Sequence, residues 1–113
     1  MAYIKRYCGP YFLEVNGDLI KQYCGPYIYQ ISGNYVKDYC GPYVYEMQGN
    51  LIKRYCGRYL LEVNGNMVKR YCGPYIAEIS GNMIKQYCGP YLYEICGNLT
   101  HEQLMAVIAV LFA

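Results

Sequence analysis

Leu19-Ile20-Lys21-Gln22-Tyr23-Cys24-Gly25-Pro26-Tyr27-Ile28-Tyr29-Gln30-Ile31-Ser32-Gly33-Asn34 is the unit from which most of the chain is built. It recurs without insertion or deletion as residues 3-18, 19-34, 35-50, 51-66, 67-82 and 83-98. Repetition at a fixed period signals a repeat architecture and takes precedence over any local reading. Cysteine returns at 8, 24, 40, 56, 72 and 88, and lysine at 5, 21, 37, 53, 69 and 85. A glycine falls every eight residues, so each unit is two half-units, each closed by a turn.

The two turns differ. One is x-Gly-Asn-x, with Gly17-Asp18 in the first unit; the other is Cys-Gly-Pro-Tyr, with Arg58 in place of proline in the fourth. Glycine at the first central position of a two-residue hairpin loop supplies the positive φ of a type II′ turn. Proline's fixed φ suits the second. Both turns therefore read as two-residue loops, and the chain as an antiparallel meander of six hairpins with about twelve short strands. In that register Ile31 faces Val36, Ile20 faces Ile31, and Lys21 faces Gln30. Lys53 then lies opposite Glu62, Lys69 opposite both Glu62 and Glu78, and Lys85 opposite both Glu78 and Glu94. Opposed charges favour this pairing by a few tenths to ~1 kcal/mol each.

The competing architecture is a two-sided parallel β-solenoid with one unit per coil. Its interior would take either Leu19, Lys21 and Tyr23 or Ile20, Gln22 and Cys24 and their equivalents. Both choices bury polar or charged ladders, which is costly. The meander avoids this but leaves both faces half apolar. An open sheet of twelve strands curls, closes or is covered by another copy.

After Asn98 the repeat stops, so residues 1-98 form the β array and 99-113 a separate C-terminal segment. Thr100 and Gln103 have the spacing of a capping box. The run from Leu104 to Ala113 predicts a helix that is apolar nearly all round, with Leu104, Val107, Ile108 and Leu111 on one face. It reads as a cap over the array or as a self-association element. At ten apolar residues it is too short for the ~20 that span a bilayer.

No arrangement of nucleophile, base and acid can be argued, and the glycines are spread over turns rather than gathered in a phosphate loop. The sequence predicts no enzyme, no cofactor and no metal. The cysteine column lacks a C-x-x-C pair and the one histidine, His101, lies outside it. The lysine-glutamate row, the same pair many times over, reads as a solvated ion-pair ladder rather than acid-base machinery. Seven cysteines without an export signal read as reduced thiols in the cytoplasm. A net charge of +2 is too small to argue for nucleic acid by itself, and single-stranded nucleic acid held by Tyr with Lys and Arg is a third option.

The unusual feature is tyrosine: 17 residues against 2 Phe and no Trp. One column precedes cysteine (Tyr7, Tyr23, Tyr39, Tyr55, Tyr71, Tyr87). The other follows Gly-Pro or Gly-Arg: Tyr11, Tyr27, Tyr43, Tyr59, Tyr75 and Tyr91. These columns serve cross-strand packing or, in a ligand-binding module, stack sugar rings. The expected role is a structural or protein-interaction protein, self-associating or engaging a protein partner, with glycan binding as the alternative.

In its short glycine-bounded aromatic units the chain is loosely similar to bacterial cell-wall-binding and clostridial toxin repeats, whose units are longer and, in the cell-wall proteins, rich in Trp. The whole pattern resembles bacterial proteins made of short hairpin repeats followed by an apolar helix; that resemblance implies the fold and adds no function.

Overall fold

The computed structural model describes residues 2–113, and among them are twelve strands and one helix. The first unit shows the plan: β1 (Ala2–Arg6) and β2 (Tyr11–Asn16) flank the Cys-Gly-Pro turn. A Gly-containing turn then leads to β3 (Leu19–Gln22) and β4 (Tyr27–Ser32), and so on to β12 (Tyr91–Cys96) and the helix α1 (His101–Phe112). Consecutive strands pair antiparallel throughout, and β12 returns to pair with β1, so the meander closes into a barrel.

The Gly-Asn hairpins follow the expected register. Glu14 faces Lys21, Val15 faces Ile20, and Ile31 faces Val36. Gly17 and Gly33 take φ of +62°, as a type II′ loop requires.

The Cys-Gly-Pro hairpins do not. Gln22 N–H donates to Pro26 O at 3.1 Å and Gly25 N–H donates to Gln22 O at 2.9 Å, so the loop is the triplet Tyr23-Cys24-Gly25. Cysteine, not glycine, takes the positive φ, at +53° to +57° in all six turns. Glycine is needed for a different reason: a Cβ on Gly41 or Gly57 would sit 2.9 Å from the Cβ of Asp38 or Arg54. The longer loop shifts the register. Lys21 faces Tyr27 and Ile20 faces Tyr29, with Ile28 as an extra, bulged residue.

The expected charge row is corrected accordingly. Lys53 faces Tyr59, and Glu62 faces Leu51 across that hairpin. Lys69 keeps Glu62 but meets Tyr75 rather than Glu78, and Lys85 keeps Glu78 but meets Tyr91 rather than Glu94. Four ion pairs among the described residues cross the Gly-Asn or Gly-Asp hairpins, from Lys69–Glu62 at 3.6 Å to Lys21–Glu14 at 3.9 Å. The seam repeats that geometry without a turn: Tyr3 faces Cys96, and Lys5 meets Glu94 at 3.9 Å.

The bulge, once per unit, is what lets so short a sheet curl shut, because an extra residue on one strand raises local twist and bend. It also turns Phe12, Ile28, Val44, Leu60 and Ile76 against the core.

Closure creates one inner face. Ile4, Ile20, Val36, Ile52, Val68 and Ile84 form a fully buried ring, one residue per unit. The interior is filled by α1. Its capping box forms as expected, with Gln103 N–H donating to Thr100 Oγ1 at 3.2 Å and Thr100 N–H to Gln103 Oε1 at 2.9 Å. The helix enters at the Gly-Asn rim, where Gln103 Nε2 donates to Gly17 O at 2.7 Å. It ends where Tyr45 Oη donates to Ala113 O at 3.4 Å. Twelve residues of helix are about 18 Å long, which matches the shortest dimension of the 37 × 33 × 18 Å molecule.

The five successive residues Met105 to Ala109 are at most 2% exposed, and five residues go more than once round a helix. A helix apolar nearly all round is thus buried on every side: Val107 and Ile108 are buried, with Leu104 and Leu111 half-buried against the same core. The helix is the core of a closed sheet, not a lid on an open one.

The tip turns carry a testable asymmetry. A non-glycine residue at positive φ is strained, and asparagine tolerates that region better than cysteine. Cys40→Asn is expected to raise stability by about 0.5–1 kcal/mol. Gly41→Ala should lower it by about 1–3 kcal/mol through crowding against Asp38. Chemical denaturation midpoints measure both, and a stabilising Gly41→Ala would refute this account of the turn.

Candidate functional site: a tyrosine belt on the barrel exterior

Outward positions of the strands carry Lys, Glu and Tyr, and near the Cys-Gly-Pro rim they carry mostly Tyr. The two tyrosine columns foreseen in the sequence meet, but across neighbouring units rather than within one. Tyr11 pairs with Tyr23 at 4.9 Å between ring centroids and Tyr27 with Tyr39 at 5.1 Å. Tyr43–Tyr55 and Tyr59–Tyr71 follow at 5.1 and 5.0 Å, and Tyr75–Tyr87 at 5.2 Å. Tyr91 meets Tyr7 at 5.1 Å across the seam, so six pairs form a complete belt. Every pair has nearly the same tilt, 30° to 33°. That geometry lies within the offset range aromatic pairs prefer.

The packing reading of the columns is present in the structure. The rings pack on each other across strands, and they remain open to solvent, at 40–46% exposure for eleven of them; Tyr59 is half-buried. Tyr3 and Tyr35 extend two of the pairs into triplets, Tyr3 lying 5.5 Å from Tyr11 and Tyr35 5.0 Å from Tyr43. Sequence reasoning missed this pair because other units carry Leu or Met at the position. Lysines cover part of the belt: Lys21 Nζ and Lys53 Nζ lie 5.5 Å from the rings of Tyr27 and Tyr59. The shifted register brings them there, so the lysine column serves the belt as well as the glutamates.

The thiols of the Cys column stand exposed at the hairpin tips and are unpaired. Cys8, Cys24, Cys56, Cys72 and Cys88 act on the tyrosines before them. A thiolate beside the phenol, and its hydrogen bond, push Tyr7, Tyr23, Tyr55 and Tyr87 above the usual tyrosine range. No group of three His, Cys, Asp or Glu side chains that could hold a metal converges among the described residues.

The opposite rim holds two open clefts. One, of about 400 Å³, lies between the turns at Gly33 and Gly49 and the start of α1, with His101, Glu102 and Met105 in its wall. The other, of about 290 Å³, lies near Asn82, Gly97 and Leu104. Of the helix residues singled out in the sequence, Val107 and Ile108 are spent on the core. No family model, no curated protein and no solved structure matches the chain.

Proposed function

We propose that this chain is a non-enzymatic interaction protein of the cytoplasm whose working surface is the tyrosine belt, engaged by a protein partner or by a second copy of the chain. The supporting observation is the belt itself. A tyrosine ring offers large contact area with a hydroxyl at its tip and few rotors to freeze, which is why interfaces are enriched in it. Here the rings are held on a closed sheet, already packed in pairs, so little ordering cost falls on binding. The interior, where barrels of this size otherwise take a ligand, is occupied by α1. The exterior is what remains for recognition.

A transmembrane role fits poorly. The strands have four to six residues, against the ~9–11 of a membrane-spanning strand, and their outer face carries ion pairs.

Replacing Tyr27, Tyr39, Tyr43 and Tyr55 by serine removes two adjacent pairs without touching the core. Capture of protein from the source cell extract and self-association in sedimentation velocity are expected to weaken at least roughly tenfold, as loss of interface aromatics does, with the far-ultraviolet dichroism unchanged. Binding and mass that match the parent protein would sink this reading. The second reading, glycan binding, draws on the even recurrence of exposed ring pairs around the belt; a glycan array probed with the same variant separates the two.

A further inference from the structure

The repeat makes its own exceptions visible. Two residues before the turn glycine, five units carry a β-branched residue: Val15, Ile31, Val63, Ile79 and Ile95. The third unit carries Met47 there. Met47 is buried in the same cluster as α1, and its strand, β6 (Tyr43–Gln48), is the one that α1 approaches most closely.

Met47 also lines the cleft of about 400 Å³ at the Gly-Asn rim, and the α1 wall of that cleft is His101, Glu102 and Met105. His101 and Met105 are four residues apart, so their side chains stand one above the other on one helix face. Met105 is 2% exposed and lies deep, whereas His101 is exposed at the mouth. Two thioethers and an imidazole thus border one cleft. Filling an irregular gap accounts for a methionine packed on a helix. It does not account for the only histidine of the chain standing over both.

We propose that Met47, His101 and Met105 bind a soft monovalent metal ion, copper(I). Thioether sulfur is a neutral, polarisable donor that selects copper(I) over harder ions, and imidazole nitrogen suits copper too. The unbranched methionine side chain turns about three bonds, so both sulfurs reach an ion in the cleft without backbone movement. The positive end of α1 opposes a cation, and Glu102 in the same wall offsets it. The spacing of Cys and His gives no sign of such a site, because its donors come from a strand and a helix far apart in the chain. The inference stands on the cleft and does not depend on a partner for the tyrosine belt.

The test uses the full chain with Cys96→Ser and with the exposed tip thiols alkylated, since free thiols would bind the ion elsewhere. Methyl-labelled methionine is followed by NMR during titration with silver(I), an air-stable ion of the same softness. The methyl signals of Met47 and Met105 are expected to shift together and to saturate at one ion per chain, while those of Met67 and Met83 stay in place. Copper(I) affinity is then measured anaerobically, in ascorbate, by competition with a colorimetric copper(I) chelator. Met47→Ile restores the common unit, and His101→Gln alters an exposed residue, so neither disturbs the fold. Each is expected to weaken copper(I) binding at least roughly tenfold, since loss of an outer-shell partner alone costs 10–100-fold. The melting temperature should hold in both.

Silver(I) that leaves the Met47 and Met105 methyls unmoved would overturn the site. So would copper(I) affinity unchanged in Met47→Ile or His101→Gln, which would place the ion elsewhere. Zinc(II) that displaces copper(I) at equal concentration would also overturn it, because thioether donors would then not be choosing the metal.

Discussion

A chain ending at Asn98 is expected to lose the native barrel altogether. Residues 99–113 supply the filling of the closed sheet. Met105, Val107 and Ile108 are at most 2% exposed. Each large aliphatic side chain so buried contributes ~1.5–3 kcal/mol, so the three together reach about 5–9 kcal/mol. That is comparable with the whole net stability of a small domain, about 5–15 kcal/mol. The same truncation uncovers the inner ring of Ile4, Ile20, Val36, Ile52, Val68 and Ile84, each wholly buried in the intact protein. An apolar surface of that extent drives aggregation.

The truncated protein should therefore be poorly soluble, or should bind a hydrophobic dye and melt without cooperativity. Val107→Asp makes the same point at full length, because it places a charge where no solvent reaches. A monomeric truncated chain with an unchanged melting temperature would show that the sheet closes and holds without the helix.

The sequence carried the fold unevenly, for identifiable reasons. The Gly-Asn turns were legible because glycine alone decides them: Gly17 and Gly33 have the positive φ that a two-residue loop needs. The Cys-Gly-Pro turns misled for the same reason. Glycine there suggested positive φ, but Cys24 takes it, and Gly25 is present because a Cβ would strike Gln22. That single residue of loop length moved Lys53 from Glu62 to Tyr59. Closure was foreseeable only as one of several remedies for a half-apolar sheet. What decides it is the recurring bulge at Phe12 and Ile28, which follows from the longer loop.

The belt was half legible. Both tyrosine columns could be read off the spacing, but the partner of Tyr27 is Tyr39 of the next unit, a contact that depends on the register. One further irregularity acquires a reason. The inward position following the bulge holds Leu13, Tyr29, Tyr45, Leu61, Ala77 and Tyr93, whereas the ring one strand away is always Ile or Val. A single helix has no sixfold symmetry. The side chains around it must therefore differ in size if the interior is to be filled without voids: Tyr45 reaches Ala113, whereas the equivalent position two units along is Ala77.

The uniform ring makes the second large prediction. Ile52→Ala is expected to cost about 2–5 kcal/mol, the range for truncating a wholly buried isoleucine. The cost should fall toward the upper end because the site cannot collapse. Ile52 is held between neighbouring strands, facing Met47 and Leu61 in register. On its inner side it packs in the same buried cluster as α1. A closed ladder of hydrogen bonds resists the inward shift that would fill the hole, so the lost contacts stay lost.

For a domain of this size the change corresponds to a fall in melting temperature of roughly 10–20 °C. Ile84→Ala, in the equivalent place two units away, should behave alike, since both are wholly buried. Lys53→Ala, the next residue outward, is expected to change stability by less than about 1 kcal/mol, because its ion pair with Glu46 is partly exposed. Thermal melts of the three variants side by side measure the contrast. An Ile52→Ala protein that melts with Lys53→Ala would mean that the inner ring is loosely packed, and that the helix rather than the sheet holds the barrel together.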